Sequence, residues 1–197
     1  MTTWCGCNAY NPDNLDIDGV RCTFTMPATP PVGAWWISCY SKAIIWAQVG
    51  IEYDGNLFYA VFNHGQMIDR SKPGGRQRLN PGDHVFEISV QAKNRWHYLI
   101  DNKAIGAYGM GAPTGYPGLI ECLNEDGDGS TATFSNISMR RNGVWSPLPA
   151  STSVVADDGS GGGAITGVFG HLQDASLPAA SVRIGGPANI GNATPLW

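Results

Sequence analysis

Two polar side chains set inside otherwise apolar runs carry the chemistry this sequence suggests. Gln48 stands in the middle of "WAQVGIEY" and Glu121 in the middle of "GLIECLNED". Side chains alternate between the faces of a strand, so Trp46, Gln48, Gly50 and Glu52 share one face and Ala47, Val49, Ile51 and Tyr53 share the other, a core face. In the second run Leu119, Glu121, Leu123 and Glu125 share a face, which gives Glu121 apolar neighbours. Partial desolvation disfavours the charged form of such a carboxylate and makes it usable for proton transfer. A carboxamide close by adds an N–H donor for an oxyanion. The pair could hold and activate a water against an amide carbonyl with no metal and no covalent nucleophile. Gly50 reads as room left beside Gln48.

Those two residues need a scaffold of strands, and the chain supplies one. From about residue 18 to 148 the sequence is a series of short alternating runs broken by Gly, Pro, Asn and Asp. "VRCTFTMP" places Cys22, Phe24 and Met26 on one face, and "HVFEISVQ" places Phe86, Ile88 and Val90 inward. "GAWWISCY" precedes the Gln48 run, Asp54-Gly55-Asn56 reads as a hairpin turn, and "LFYAVFNH" returns from it. "WHYLIDN" turns at Asn102-Lys103 into "AIGAYGMG". "DRSKPGGRQRLNPGD" reads as loop, and "ITGVFGHLQDA" (165–175) as a short turn or helix. About nine or ten strands at this spacing predict an all-β fold, an antiparallel β-sandwich or jelly roll.

Composition narrows the function classes. Charged residues are only 14% of the chain while it holds seven Trp and seven Tyr, so the polar sheet faces carry aromatics where solvated faces carry charge. A net charge of −4 without a basic run argues against nucleic acid and against an anionic membrane surface as partners. No apolar run approaches the roughly 18 residues that span a bilayer. "MTTWCGCNAYNPDNLD" lacks the charged and apolar regions of a signal peptide. Cys5, Cys7, Cys22, Cys39 and Cys122 are odd in number; buried thiols fit, and so do one or two disulfides with a thiol left over. Cys5-Gly-Cys7 has no matching second pair for zinc. His64, His84, His97 and His171 have no ligand spacing, and the turn from Asp126 to Ser130 lacks the full spacing of a calcium loop, so neither metal nor cofactor is expected. No phosphate-binding Gly loop and no Gly-x-Ser-x-Gly elbow is present. The sequons at Asn136 and Asn192 matter only in a secreted chain.

Residues 151–197 differ from the rest. They are rich in Ser, Gly, Ala and Pro, with "DDGSGGGA" a linker by composition and apolar anchors in "ITGVFGHL", "ASVRIGG" and "PLW". The division is a β-sandwich domain over 1–150 followed by an extended tail over 151–197, expected to dock on the domain or on a neighbouring subunit, with docking on a neighbour, a homo-oligomer contact, or a strand-addition contact favoured.

Four runs, in order, resemble the glutamic peptidases (eqolisins), β-sandwich enzymes of the concanavalin-like kind. "CTFTMP" is similar to the family's first strand, "AWWIS" to its Ala-Trp strand, "AQVGIEY" to the run holding its catalytic Gln, and "LIECLNE" to the run holding its catalytic Glu. The "PGD" before "HVFEISV" and the strand "FSNISM" keep the same order, so the resemblance covers about residues 20–140. It implies a Gln48/Glu121 dyad, peptide-bond hydrolysis at acidic pH, a polypeptide substrate and secretion. It favours Trp35 over Trp36 as a cleft residue, a choice alternation alone leaves open. Trp46 and Tyr59 are further cleft-wall candidates, and Glu52 is a rim candidate. Asn63 falls where the family carries an acidic cleft residue, and Val61 where it carries a Trp. "RWHYLIDNKAIGAY" is also similar to laminin-G and lectin-like jelly rolls. Besides the hydrolase, two readings stand: a non-catalytic glycan- or peptide-binding module, and an assembly subunit knitted by its tail.

Overall fold

The computed structural model describes residues 4–10, 16–29, 32–40, 45–52, 55–63, 66–71, 77–91, 95–108, 118–125, 130–150, 152–158, 165–169 and 172–185. These residues form sixteen β-strands in two sheets, with every neighbouring pair antiparallel. With strands numbered along the chain, the first sheet runs β13 (Ser153–Asp158), β1 (Trp4–Tyr10), β10 (Gly118–Glu125), β3 (Ala34–Tyr40), β4 (Ile45–Ile51), β5 (Leu57–Asn63) and β6 (Gln66–Ser71). The second runs β15 (Leu172–Gln173), β14 (Ile165–Phe169), β16 (Val182–Gly185), β11 (Thr131–Arg141), β2 (Gly19–Met26), β7 (Gly82–Val90), β8 (Trp96–Ile100) and β9 (Lys103–Tyr108), with β12 (Val144–Pro147) also paired to β11. The fold is an all-β antiparallel sandwich of the jelly-roll kind.

The alternation read from the sequence builds the core. Cys22, Phe24 and Met26 of β2 and Phe86 and Ile88 of β7 face Trp35, Ile37, Val49 and Ile51 of the opposite sheet, all buried. Phe24 stacks on Phe86 at 4.9 Å and meets Phe134 at 5.2 Å. Tyr59 of the first sheet stacks on Tyr98 of the second at 4.6 Å, a contact worth about 0.5–1.5 kcal/mol beyond area burial. In β11 the register shifts between Ser135 and Ser138, with Asn136 in the left-handed region at φ 51°. That bulge lets Phe134 and Ile137 both face the core, which strict alternation forbids.

Several expectations are revised. Over the span read as strands the structure has eleven, β2 to β12, and β1 and β13 to β16 lie outside it; in β1 only Cys5, Cys7 and Ala9 mark the buried face. Residues 165–175 form β14 and β15 rather than a turn or helix. The described part of the tail adds strands. Its strand β13 pairs with β1, and β16 pairs with β11, so the segment adds to both sheets of its own domain. Few apolar residues suffice there, because Val154, Val182 and Ile184 drop into a core that already exists. The β8–β9 turn centres on Asp101 and Asn102, one residue earlier than read, both at positive φ as a tight hairpin turn requires. The five cysteines are buried thiols outside any disulfide. His64, His171, Asp126 to Gly129, most of the Gly-rich linker, Asn192 and "PLW" lie outside the described residues.

Candidate functional site

Strand β3 lies between the strands of the two candidate residues. Ser38 pairs with Glu121 of β10 on one side and with Gln48 of β4 on the other, so the three stand in one row across the sheet. The row continues to Asn8 on β1 at one end and to Ala60 and Arg70 at the other. Inward-facing positions of these strands belong to the inter-sheet core, so the row occupies the opposite, outer face. Two strand spacings separate the Gln48 and Glu121 backbones, about 10 Å.

An apolar cluster distinct from the main core flanks this row. It contains Ala34, Trp36, Trp46, Phe58, Ala60 and Leu123, with Phe62 packed against it. Trp36 meets the Phe58 ring edge-on at 6.1 Å on one side of the row, and Trp46 packs on Phe62 at 4.5 Å on the other. The polar groups are correspondingly dry: Ser38 is 0% exposed and Gln48 and Glu121 are each 7% exposed. The Ser38 hydroxyl donates a hydrogen bond to Glu121 Oε2. Among the described residues the Gln48 carboxamide oxygen and the Trp36 indole N–H, both buried, have no hydrogen-bond partner. Each such group costs about 1–3 kcal/mol.

The expected site residues divide between the two faces. Gln48, Glu121 and Trp46 face outward together. Glu52 shares their face but is buried and ion-paired to Arg70, whose guanidinium lies 5.8 Å over the Phe58 ring. It therefore closes one end of the aromatic patch rather than forming a solvated rim. Trp35 is corrected: it packs on Phe24 inside the sandwich, and Trp36 is the Trp of the outer face. Tyr59 is corrected likewise, since its ring is stacked on Tyr98 in the core, with its hydroxyl donating to Asp69 at 3.1 Å. Asn63 shares the parity of Tyr59 and Val61 and pairs with Ile45 at the end of β5, away from the outer-face row. Gly50 does not leave room for a ligand. A Cβ there would lie 2.0 Å from the Trp35 carbonyl oxygen and 2.6 Å from Trp36 Cα, so the backbone of β3 fills the space.

Ser38, Phe58 and Arg70 are among the outer-face residues that the sequence reading passed over, and Trp36 is the one it set aside in favour of Trp35. The signal for Ser38 was present in the β3–β4 hairpin, because any register that pairs Trp36 with Gly50 sets Ser38 opposite Gln48. Beneath the row, Cys7 and Cys122 face each other across β1 and β10 on the core side. Their mutual hydrogen bond and burial push the Cys7 thiol well above the ordinary range, and burial does the same to Cys122. Both stay protonated and take no nucleophilic part.

No family model and no curated protein matches the chain, and the likeness found is structural. The fold is similar to scytalido-glutamic peptidase bound to a peptide-based transition state analog, with a TM-score of 0.55, 10% identity, and coverage of 93% of this chain and 98% of that one. A second structure of that peptidase, with a transition state analog inhibitor, gives a TM-score of 0.54 at the same identity and coverage. A tetrameric galectin from the ball sponge Cinachyrella sp. is similar with a TM-score of 0.50 and 13% identity, over 68% of this chain and 99% of that one. At these identities the likeness defines a class of fold, the antiparallel jelly-roll sandwich that peptidase and galectin both adopt.

Proposed function

We propose that the protein is a hydrolase of peptide bonds acting at acidic pH, with Glu121 as general base toward a water and Gln48 as hydrogen-bond donor to the oxyanion. The carrying observation is the single row Glu121–Ser38–Gln48 on three adjacent strands, dry and walled by Trp36 and Trp46. In the proposed step Glu121 takes a proton from the water as its oxygen attacks the amide carbon. The carbonyl oxygen becomes an oxyanion that the Gln48 amide stabilises, and the proton then passes to the leaving nitrogen as the C–N bond breaks. Apolar walls strengthen both interactions by excluding bulk water.

A second reading, a non-catalytic glycan- or peptide-binding module, is favoured by the aromatic patch itself, since aromatic faces bind sugar rings and side chains without any base. One experiment separates the two: incubation of a denatured protein substrate at pH 2–5 with wild type, Gln48→Ala and Glu121→Gln. Hydrolysis by the wild type, reduced at least 100-fold in both variants, is expected. Hydrolysis that persists in both variants rules out the pair. Binding without cleavage at any pH transfers the weight to the module.

A further inference from the structure

Ser38 has no task in a mechanism that needs only a base and an oxyanion donor, yet it stands between them. It is in register with both, is completely buried, and donates its hydroxyl proton to Glu121 Oε2. We infer that Ser38 is a positioning residue, whose hydroxyl anchors one carboxylate oxygen of Glu121 and so aims the other at the water to be activated. This inference rests on the hydrolytic reading of the same site.

Three features support it. An unanchored glutamate has three side-chain torsions, whose freedom must be given up when the carboxylate is aimed. A hydrogen bond from the neighbouring strand removes that freedom before substrate arrives, on a rigid element rather than a loop. A hydroxyl has one proton to donate and two lone pairs. Its one proton is committed to Glu121, while Gln48 stands opposite Ser38 in the β3–β4 register. Ser38 thus acts through Glu121 and has no contact with the water of its own. It is not suited to be the nucleophile, because at 0% exposure it lies beneath Gln48 and Glu121 and no carbonyl carbon can reach its oxygen.

The bond also favours the ionised form of Glu121, the form a base needs in acid. The described groups around that carboxylate are few in charge. Asn8 faces it from β1, Glu125 lies on its own strand, and Gln48 and then Arg70, already paired to Glu52, lie further along the row. Cys7 and Cys122 lie on the other face of the sheet as protonated thiols.

The test compares wild type, Ser38→Ala, Ser38→Gly and the hydroxyl-retaining Ser38→Thr by peptide hydrolysis and by infrared titration of the carboxyl band that Glu121→Gln removes. Loss of the hydroxyl is expected to lower kcat about 100-fold with KM nearly unchanged. It should raise the acid limb of kcat/KM and the infrared midpoint of Glu121 by about one pH unit, with substantial recovery in Ser38→Thr. An unmoved infrared midpoint in both Ser38→Ala and Ser38→Gly overturns the inference, as does an acyl adduct on Ser38 in the intact mass during turnover. A midpoint that moves in a protein without hydrolytic activity supports the anchoring and rejects the hydrolytic reading. Full activity in Ser38→Ala with Glu121→Gln inactive rejects the anchoring and keeps the reading.

Discussion

Gly50 shows how one missing methylene sets the geometry of the candidate site. The backbone of β3 approaches so closely that a Cβ at residue 50 would overlap the Trp35 carbonyl oxygen and crowd Trp36 Cα. These are main-chain atoms, unable to swing aside as a side-chain tip can. Alanine there must push β3 and β4 apart, and the Ser38–Gln48 pairing lies only two residues along. Gly50→Ala is therefore expected to destabilise the fold by about 3 kcal/mol, read from the midpoint of urea denaturation at unchanged slope. A loss below about 1 kcal/mol would show that the two strands separate freely and that the close approach does not hold the row in place.

At the scale of elements, the C-terminal strands are the informative case. Residues 153–158 and 182–185 close the open edges of β1 and β11, and Val182 and Ile184 are completely buried. Ile184→Ala should cost about 2–5 kcal/mol in a single cooperative transition, as a core position does, whereas an appended tail would lose only its own local structure. The measurement is urea unfolding followed by Trp fluorescence and by far-UV circular dichroism. Non-coincident transitions would mark residues 153–185 as a separate unit. The same strands show where sequence legibility ended. Runs such as "VRCTFTM" and "HVFEISV" carry their own alternating apolar face and could be placed at sight. Strands such as β13 and β16 contribute one or two apolar residues to a core built by others, so local periodicity contains too little to identify them. For the site, strand parity put Gln48 and Trp46 on one outer face. It could not choose between Trp35 and Trp36, and the family resemblance chose the core Trp. Ser38 required a pairing register, which is a property of two strands and not of one.

For the whole molecule, the relation between stability and pH can be worked out from one exposed junction between β7 and the β8–β9 turn. His84 Nδ1 lies 2.7 Å from Asp101 Oδ2 and Nε2 lies 2.8 Å from the Asn80 carbonyl oxygen, so both partners are acceptors. Only the imidazolium donates from both nitrogens. Burial alone would depress its pKa. The Asp101 hydrogen bond, the Asn80 carbonyl and the charges of Asp101 and Asp83 outweigh burial and raise it above the ordinary 6.5. A raised folded-state pKa contributes stability that is complete below 6.5 and disappears as pH rises through the folded value. The melting-temperature gap between wild type and His84→Gln should accordingly be widest in acid and narrow above neutrality. A gap independent of pH between 5 and 9 would show that the ring is neutral and merely packed. The acid side is also where the proposed hydrolysis would operate, so the junction and the site favour the same conditions.

The neighbours of β1 also set a timetable for synthesis. Its two partners, β10 and β13, begin at Gly118 and Ser153, more than a hundred residues after β1 itself ends at Tyr10. At about 5–20 residues per second a ribosome leaves that first strand waiting on the order of 5–30 s. During that interval the thiols of Cys5 and Cys7 and the unpaired backbone of "WCGCNAY" face the cellular milieu. Glu121 itself arrives with β10, so the proposed site can assemble only late in the growth of the chain. The proposed Glu121–Ser38–Gln48 row therefore cannot form before β10 has emerged, long after β3 and β4.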